Sequence, residues 1–196
     1  NSDMPLEPEE KAEFIDLITK NSDLLLKLIN DILDLSRIES GSMSFSYENL
    51  DLSKLMGDIF HTHQLMMPEG VELKIRVPHE PLIIRSDHFR LTQVCTKFTA
   101  KGYIEIGYEL SADGKSILIS VKDTGKGIPD DKKEKVFERF QKLDEFAQGT
   151  GLGLAICQSI VHTFHGSISL ESEVGVGSKF TISLPYTPGL ELEERT

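Results

Sequence analysis

The sequence predicts a two-layer α/β sandwich preceded by one long helix. Apolar residues recur at helical spacing between residues 8 and 41, which indicates one uninterrupted helix at the start of the chain. From residue 42 onward, short segments of alternating apolar and polar residues are interleaved with amphipathic helical segments. Strands with one apolar face need a layer of helices on that face, so a sheet covered by helices is expected. The length of 196 residues suffices for one domain and an appendage.

The first helix is predicted to begin at Pro8 and to end at Gly41. A proline followed by Glu9 and Glu10 suits the first turn of a helix, and glycine commonly terminates one. A helix of ~30 residues is ~45 Å long, and a narrow apolar stripe of that length needs a partner. No helix that could serve as this partner is evident in the rest of the sequence, so the stripe is either an interface or one half of a helical hairpin. The stripe consists of Phe14, Ile18, Leu25, Leu28, Ile32 and Leu35.

Strands and helices alternate between residues 44 and 98. Residues 44–50 can form a short strand, and Asp51 can cap the helix that follows. Residues 71–77 have the alternation of a half-buried strand, residues 82–84 form a shorter one, and Asp87 opens another helix. The apolar faces of these two helices are formed by Leu52, Leu55, Met56, Ile59, Phe60, Met66 and Met67 in the first, and by Leu91, Val94, Cys95 and Phe98 in the second.

The second half of the chain contains the remaining strands. Residues 104–108 and 117–121 alternate on either side of an Asp113-Gly114 turn, which predicts a hairpin. Residues 154–164 have helical spacing, and Gly166 ends that helix. Two more alternating strands, at residues 168–170 and 180–184, are joined through residues 175–177 (Gly-Val-Gly), and a polar tail follows.

Charge and cysteine content exclude some classes of function. The formal net charge is −11, and such a field repels polyanions, so no nucleic-acid partner is expected. A nucleotide can still bind, because helix N-termini, single basic residues and a metal ion act locally. Cys95 and Cys157 lie in helical patterns, which favours a reduced cytosolic setting over a disulfide framework. No apolar run approaches the ~18 residues of a membrane span.

Two glycine-rich segments carry the strongest functional signal: residues 123–129 (Asp-Thr-Gly-Lys-Gly-Ile-Pro) and residues 149–154 (Gly-Thr-Gly-Leu-Gly-Leu). Glycine lets backbone approach a ligand closely, and the second segment opens into a helix whose N–H groups can face an anion. A charged helix ending in residues 137–140 (Phe-Glu-Arg-Phe) and a polar stretch lie between them, which indicates a nucleotide site with a mobile lid. Each segment alone is weak evidence for a nucleotide site. Asp123 can form a plain Asp-Thr-Gly turn, and the second segment fits neither the P-loop nor the dinucleotide fingerprint.

The order of these motifs resembles the catalytic, ATP-binding domain of sensor histidine kinases, within the wider gyrase, Hsp90, histidine kinase and MutL ATPase family. The two glycine boxes, the phenylalanine box at residues 137–140 and the closing strands at residues 175–185 carry the resemblance. The helix at residues 87–94 resembles the start of the asparagine box, and residues 33–41 resemble the second helix of the dimerisation and phosphotransfer hairpin. The resemblance divides the chain into a hairpin helix (1–41), an ATP-binding domain with the histidine kinase α/β sandwich (42–188) and a tail (189–196).

The resemblance implies that Mg-ATP lies under a lid. Asp123 matches the aspartate that reads adenine, and Lys97 matches a lysine that reaches the phosphates. Arg139 and Lys142 can neutralise phosphate, although a solvated surface position explains them equally well. The other residues matched to ATP binding are Gly125, Gly127 and Ile128 in the first box, and Gly149, Thr150, Gly151, Leu152, Gly153 and Leu154 in the second.

One departure from the family concerns the metal. The family's asparagine, which holds Mg²⁺, lies three residues before the lysine, and this chain has Val94 there. Valine offers no oxygen ligand, so no metal-binding residue is identified. The segment is shorter than in the family by about seven residues, nearly two helical turns. An omitted segment, a deletion and a natural shortening each explain this, and the intact flanks favour the first. If the asparagine box is truly shortened, a degenerate, non-catalytic interaction module is the alternative function.

A second departure concerns the phosphoacceptor histidine, which in the family lies on the first hairpin helix and would precede residue 1. His79-Glu80 has a similar sequence, but Pro78 and Pro81 flank it and predict a loop. The resemblance therefore implies a region that donates the ATP γ-phosphate to a histidine outside this sequence. The implied partners are the phosphoacceptor helix of the same kinase, a response regulator receiver domain and a second copy of the full-length protein. A cytoplasmic domain is expected, and its full-length protein can be anchored in the bacterial inner membrane.

Overall fold

The computed structural model describes residues 7–65, 67, 71–97, 103–141 and 150–186, with the backbone alone of Lys97. Its helices are α1 (Pro8–Glu39), α2 (Leu52–Gln64), α3 (His88–Lys97), α4 (Asp130–Lys133) and α5 (Gly153–Thr163), and a 3-10 turn spans Lys135–Phe137. Its strands are β1 (Glu48–Asp51), β2 (Leu73–Arg76), β3 (Ile83–Ser86), β4 (Ile104–Leu110), β5 (Ser116–Asp123), β6 (Ser167–Glu173) and β7 (Gly177–Pro185).

Five strands form the main sheet in the order β2-β4-β5-β7-β6. β2 pairs with β4 in parallel, and the other neighbours are antiparallel. β1 and β3 form a separate two-stranded antiparallel sheet. The predicted hairpin is confirmed as β4 and β5, with Gly114 at φ +68° in the turn. The arrangement confirms the predicted α/β sandwich behind one long helix.

The core lies between one face of the main sheet and helices α2, α3 and α5. Alternate residues of the central strands are buried on this face, as their period of two requires. Leu55 and Met56 of α2 and Leu91 and Val94 of α3 are buried as their helical spacing predicts. Met66 and Phe98 lie outside the described residues. The sheet supplies Ile104, Ile106, Tyr108, Ile117, Ile119, Val121, Phe180, Ile182 and Leu184 to this core.

Two aspartates fix the starts of α2 and α3. The Oδ1 atom of Asp51 accepts a hydrogen bond from the backbone N–H of Ser53 at 2.9 Å, which confirms the predicted cap. The Oδ1 atom of Asp87 accepts one from the N–H of Arg90 at 2.9 Å, and its Oδ2 atom accepts one from the N–H of Ser46 at 2.7 Å. Asp87 therefore caps α3 and also fastens the segment before β1 to that helix.

Two predicted elements differ from the structure. The strand expected at residues 44–50 begins only at Glu48, because Phe45 packs against Phe164 after the end of α5, with ring centroids 5.5 Å apart. The prediction of one charged helix that ends at Phe140 is wrong, because a single turn of α4 is followed by the 3-10 turn. In this tighter path Val136 is buried and the Phe137 ring packs edge-on against Phe180, contacts that a surface helix would not make.

The apolar stripe of α1 is divided between two environments. Leu35 is buried, and Leu28 is half-buried against the core of the sandwich. α5 packs against α1, so the expectation that the rest of the chain offers no helix to the stripe is wrong for its C-terminal half. Phe14, Ile18, Leu25 and Ile32 are exposed. No helix in the described part of the chain is both long enough and apolar enough to cross a membrane.

Candidate functional site

Asp123 ends the central strand β5, between β4 and β7, and only 5% of the residue is exposed. Its Oδ1 atom accepts a hydrogen bond from the N–H of Gly125 at 2.7 Å, so the plain Asp-Thr-Gly turn is present. Burial raises the pKa of this carboxyl group above its usual value, and hydrogen bonds from the backbone of Gly125 and Ser178 partly oppose that rise. A buried carboxylate in this position can accept a hydrogen bond from an amino group of a ligand.

The β6–β7 hairpin fixes the backbone of the first glycine box. Gly127 has φ +69°, and a Cβ atom there would lie 1.9 Å from the carbonyl oxygen of Glu173. The N–H of Gly175 donates to the carbonyl oxygen of Lys126 at 2.9 Å, and the N–H of Ile128 donates to Oγ of Ser172 at 2.8 Å. The need for glycine at this position is therefore explained by the chain's own hairpin.

The second glycine box lies between α1 and the phenylalanine box. The hydroxyl of Thr150 donates a hydrogen bond to Oδ2 of Asp31 at 2.6 Å and accepts one from the N–H of Leu152 at 3.2 Å. Gly151 has φ +71°, and a Cβ atom there would lie 2.7 Å from the carbonyl carbon of Phe140. Leu152 is fully buried directly before α5 begins at Gly153. The loop that leads into α5 is thus fixed by tertiary contacts on both sides.

Carboxylates of α1 bind the sandwich at two further places. Asp34 accepts hydrogen bonds from the guanidinium of Arg90 at 3.2 Å and from the side-chain amide of Gln93 at 2.8 Å. Both partners of the Asp34–Arg90 ion pair are largely shielded from solvent. Glu39 forms an ion pair with Arg139, so in this arrangement that arginine already has a carboxylate partner.

The structure brings the two glycine boxes to one apolar core, because Ile128 of the first and Leu152 of the second belong to the same buried cluster. Leu154 is half-buried against that cluster. Lys97 is the last residue of α3, but its side chain is not described, and Gly149 and Lys142 lie outside the described residues.

The position assigned to the metal-binding asparagine is occupied by a core residue. Val94 is fully buried in α3 and offers no oxygen atom. Within the ranges that the structure describes, no group of three or more histidine, cysteine, aspartate or glutamate side chains is placed to hold a metal ion. Mg²⁺ therefore does not fit at this position as the chain stands.

Sequence reasoning missed Asp31 and Asp34. Asp31 is buried in the middle of the α1 face that packs on the sandwich, with Leu28 and Leu35 three and four residues away. A carboxylate between two apolar residues at helical spacing is a signal that a sequence can carry, because such a group needs a polar partner when it is buried. Which residue serves as that partner is decided by the folded structure and not by the local sequence.

Comparisons with known proteins identify this combination of helix and sandwich. Residues 89–188 match the family described as "Histidine kinase-, DNA gyrase B-, and HSP90-like ATPase". The chain belongs to this ATPase family. Residues 2–41, which include most of α1, match the His Kinase A (phospho-acceptor) domain. No histidine occurs in residues 2–41, and the first in the sequence is His61.

Two curated relatives of this ATPase-family chain carry the name histidine kinase. It is 32% identical over 193 residues to hybrid signal transduction histidine kinase D of Dictyostelium discoideum, covering 90% of this chain and 12% of the relative. It is 34% identical over 191 residues to sensor histidine kinase RcsC of Escherichia coli K12, covering 91% and 20%. The chain thus spans about an eighth to a fifth of the length of these relatives.

A solved structure shares both the fold and the arrangement of helix and sandwich. The crystal structure of full-length ShkA in complex with AMPPNP superimposes with a TM-score of 0.76 at 28% identity, covering 94% of this chain and 40% of ShkA. The likeness includes the long helix, because the match covers nearly the whole chain.

Proposed function

We propose that this chain is the ATP-binding catalytic region of a sensor histidine kinase of a two-component system, donating the ATP γ-phosphate to a histidine that this sequence does not contain. The observation that carries the proposal is the buried carboxylate of Asp123 at the end of β5, adjoined by the first glycine box in a histidine kinase fold. The AMPPNP in the ShkA structure supports ATP as the nucleotide.

The residues present fit a nucleotide. Asp123 is desolvated and can accept a hydrogen bond from an exocyclic amino group of adenine. Gly125, Gly127 and Ile128, which follow it in the chain, are the proposed wall beside the base. Thr150 and Gly151 lead into the N-terminus of α5, where backbone N–H groups and the helix dipole favour phosphate. Leu152, Gly153 and Leu154 are proposed to complete this second wall. Gly149, which lies outside the described residues, is proposed from the motif alone, and Lys97 is the proposed basic residue at the phosphates.

Each of these groups binds or orients the nucleotide. Phosphoryl transfer depends chiefly on positioning and on electrostatic stabilisation, so a domain that holds ATP with its γ-phosphate exposed needs no nucleophile of its own. Mg²⁺ would supply charge neutralisation when bound, but no residue at position 94 can ligate it, and we derive no step through it.

The proposed role as the catalytic region of a histidine kinase also implies binding partners. The exposed residues Phe14, Ile18, Leu25 and Ile32 on α1 are proposed to pair with a phosphoacceptor helix of the same kinase and with a second copy in the homodimer. A response regulator receiver domain would then accept the phosphoryl group from the histidine. We place the region in the cytoplasm, with membrane anchoring left to other parts of the full-length protein.

Calorimetric titration with a non-hydrolysable ATP analogue, with and without Mg²⁺, tests this function. We expect saturable one-to-one binding that Asp123→Asn weakens about tenfold, because the amino group of the nucleotide then donates to a neutral amide oxygen instead of a charged carboxylate. Asp131→Asn removes the same charge from an exposed position and serves as the control. Absence of binding by the wild-type chain would favour the degenerate, non-catalytic module. Acid-labile phosphate on this chain after incubation with radiolabelled ATP would contradict the external phosphoacceptor.

A further inference from the structure

One serine hydroxyl joins the β6–β7 hairpin to the first glycine box. The Oγ atom of Ser172 on β6 accepts a hydrogen bond from the backbone N–H of Ile128 at 2.8 Å. The same hydroxyl donates to the carbonyl oxygen of Gly177 at 2.9 Å and lies 2.9 Å from Oγ of Ser178. Ile128 and Ser178 are buried, so their polar groups depend on partners within the protein.

The hydrogens of these groups have one consistent arrangement. A serine hydroxyl has a single hydrogen and two lone pairs. The carbonyl oxygen of Gly177 cannot donate, so the hydrogen of Ser172 lies toward it, and the N–H of Ile128 occupies one lone pair. Ser178 therefore donates its own hydrogen to the remaining lone pair of Ser172. The Ser172 hydroxyl thus uses its whole hydrogen-bonding capacity.

The direction of the Ser178 hydrogen matters for Asp123. The register of the sheet places Ser178 on β7 between Asp123 on β5 and Ser172 on β6. Directly paired residues have their side chains on the same face, with Cβ atoms about 4.5–5.5 Å apart, so the Ser178 hydroxyl can turn toward either neighbour. Because Ser172 draws the hydrogen to its own side, the Asp123 carboxylate keeps an acceptor position for a ligand.

The contact with Ile128 acts at the other end of the same segment. Asp123 begins the first glycine box, and its Oδ1 atom accepts the N–H of Gly125. Ile128 closes the box five residues later, where its N–H is held by Ser172. The segment is therefore fixed at one end by strand pairing of Asp123 and at the other by this hydroxyl.

We propose that Ser172 is a positioning residue of the nucleotide site, which holds the first glycine box in place and keeps the Asp123 carboxylate available to an amino group of the base. It acts through Ile128 and Ser178. Without the Ser172 hydroxyl, the Ser178 hydrogen turns to Asp123 and competes with the amino group of adenine. This inference rests on the proposed function, because it requires that Asp123 reads the base.

The variant Ser172→Ala tests the proposal with two nucleotides. Non-hydrolysable analogues of ATP and of inosine triphosphate differ at the base, where hypoxanthine carries an oxygen in place of the amino group of adenine. We expect Ser172→Ala to lower the affinity for the ATP analogue about fivefold, as for loss of one hydrogen bond, and to lower the affinity for the inosine analogue less. The ratio of the two affinities should therefore fall. A merely structural role would lower both affinities by the same factor.

Two further variants and a second readout isolate the hydroxyl. Ser172→Thr keeps a hydroxyl and should retain the wild-type ratio, and Ser169→Ala removes one from an exposed position on the opposite face of β6 and should change neither affinity. Hydrogen exchange is measured in the nucleotide-free chain. The amide of Ile128 should exchange faster in Ser172→Ala alone, while that of Gly175, which donates to the carbonyl oxygen of Lys126, should stay protected.

The outcomes separate this inference from the proposed function. An unchanged affinity ratio or unchanged Ile128 exchange in Ser172→Ala, or an equal fall of the ratio in Ser172→Thr, refutes the positioning role. The proposed function stands in each of these cases if the wild-type chain binds the ATP analogue. If the wild-type chain binds no nucleotide, both claims fail.

Discussion

Replacement of Gly127 by alanine tests how the first glycine box is held, and Gly114 provides a matched comparison. Both glycines have almost the same left-handed backbone, with φ +69° and φ +68°. A Cβ atom at Gly114 would have no heavy atom within 4 Å, whereas at Gly127 it would lie 1.9 Å from the carbonyl oxygen of Glu173 and 2.9 Å from Cα of Val174. The two variants therefore share the backbone strain and differ in the steric clash.

The magnitudes follow from these distances. Left-handed backbone costs a residue with a Cβ atom roughly 1–2 kcal/mol, and this is the whole expected loss for Gly114→Ala. Gly127→Ala adds the cost of displacing backbone of the β6–β7 hairpin, about 1–3 kcal/mol by analogy with overpacked cores. Because that hairpin also contacts Asp123 through Gly177, Gly127→Ala should weaken nucleotide binding, while Gly114→Ala should not.

Urea unfolding followed by circular dichroism gives both free energies of unfolding under one set of conditions. We expect the free energy of unfolding to fall with urea concentration at the same slope in both variants. The urea concentration at the midpoint of unfolding should be lower for Gly127→Ala than for Gly114→Ala. Equal destabilisation by the two substitutions would refute the close approach of the hairpin to the first glycine box.

Three further predictions follow from the charged residues. Asp51→Ala should lower the free energy of unfolding by about 1 kcal/mol through loss of the α2 cap, and an unchanged thermal midpoint would contradict this. Burial raises the pKa of the Asp123 carboxyl group in the folded chain above its usual value of 3.8, so folding favours the protonated carboxyl group. The stability that this gives the folded state is fully present below pH 3.8 and is lost as pH rises through the folded-state pKa. The free energy of unfolding of Asp123→Asn minus that of wild type should therefore increase from acid to neutral pH. A difference that does not change with pH would contradict this prediction. Asp34→Ala should speed hydrogen exchange in the C-terminal half of α1, because Arg90 and Gln93 lose their acceptor; unchanged exchange would show that docking is independent of this contact.

Local signals in the sequence were sufficient for most of the sandwich. The strands were predicted because alternating residues report which face is buried, and the starts of α2 and α3 because Asp51 and Asp87 have the chemistry of helix caps. The 3-10 turn at residues 135–137 was missed because its charged composition is that of a helix. The burial of Val136 and the packing of Phe137 on Phe180, which decide its path, depend on a strand more than forty residues away.

The candidate site was only partly accessible from the sequence. Asp123 and the glycine boxes were found by their order along the chain, and their roles in ATP binding stay predictions. The Thr150–Asp31 contact joins residues separated by 119 positions, and no local pattern could specify it. Gly127 was assigned to a ligand, whereas in the structure the backbone of Glu173 already accounts for the absence of a side chain.

Amide chemical-shift mapping with a non-hydrolysable ATP analogue tests most directly whether a nucleotide binds between Asp123 and the two glycine boxes. The account predicts saturable shifts concentrated at residues 123–128 and 150–154, with little change along β2 at the far edge of the sheet. Shifts confined to other parts of the chain, or none at saturating concentration, would contradict it.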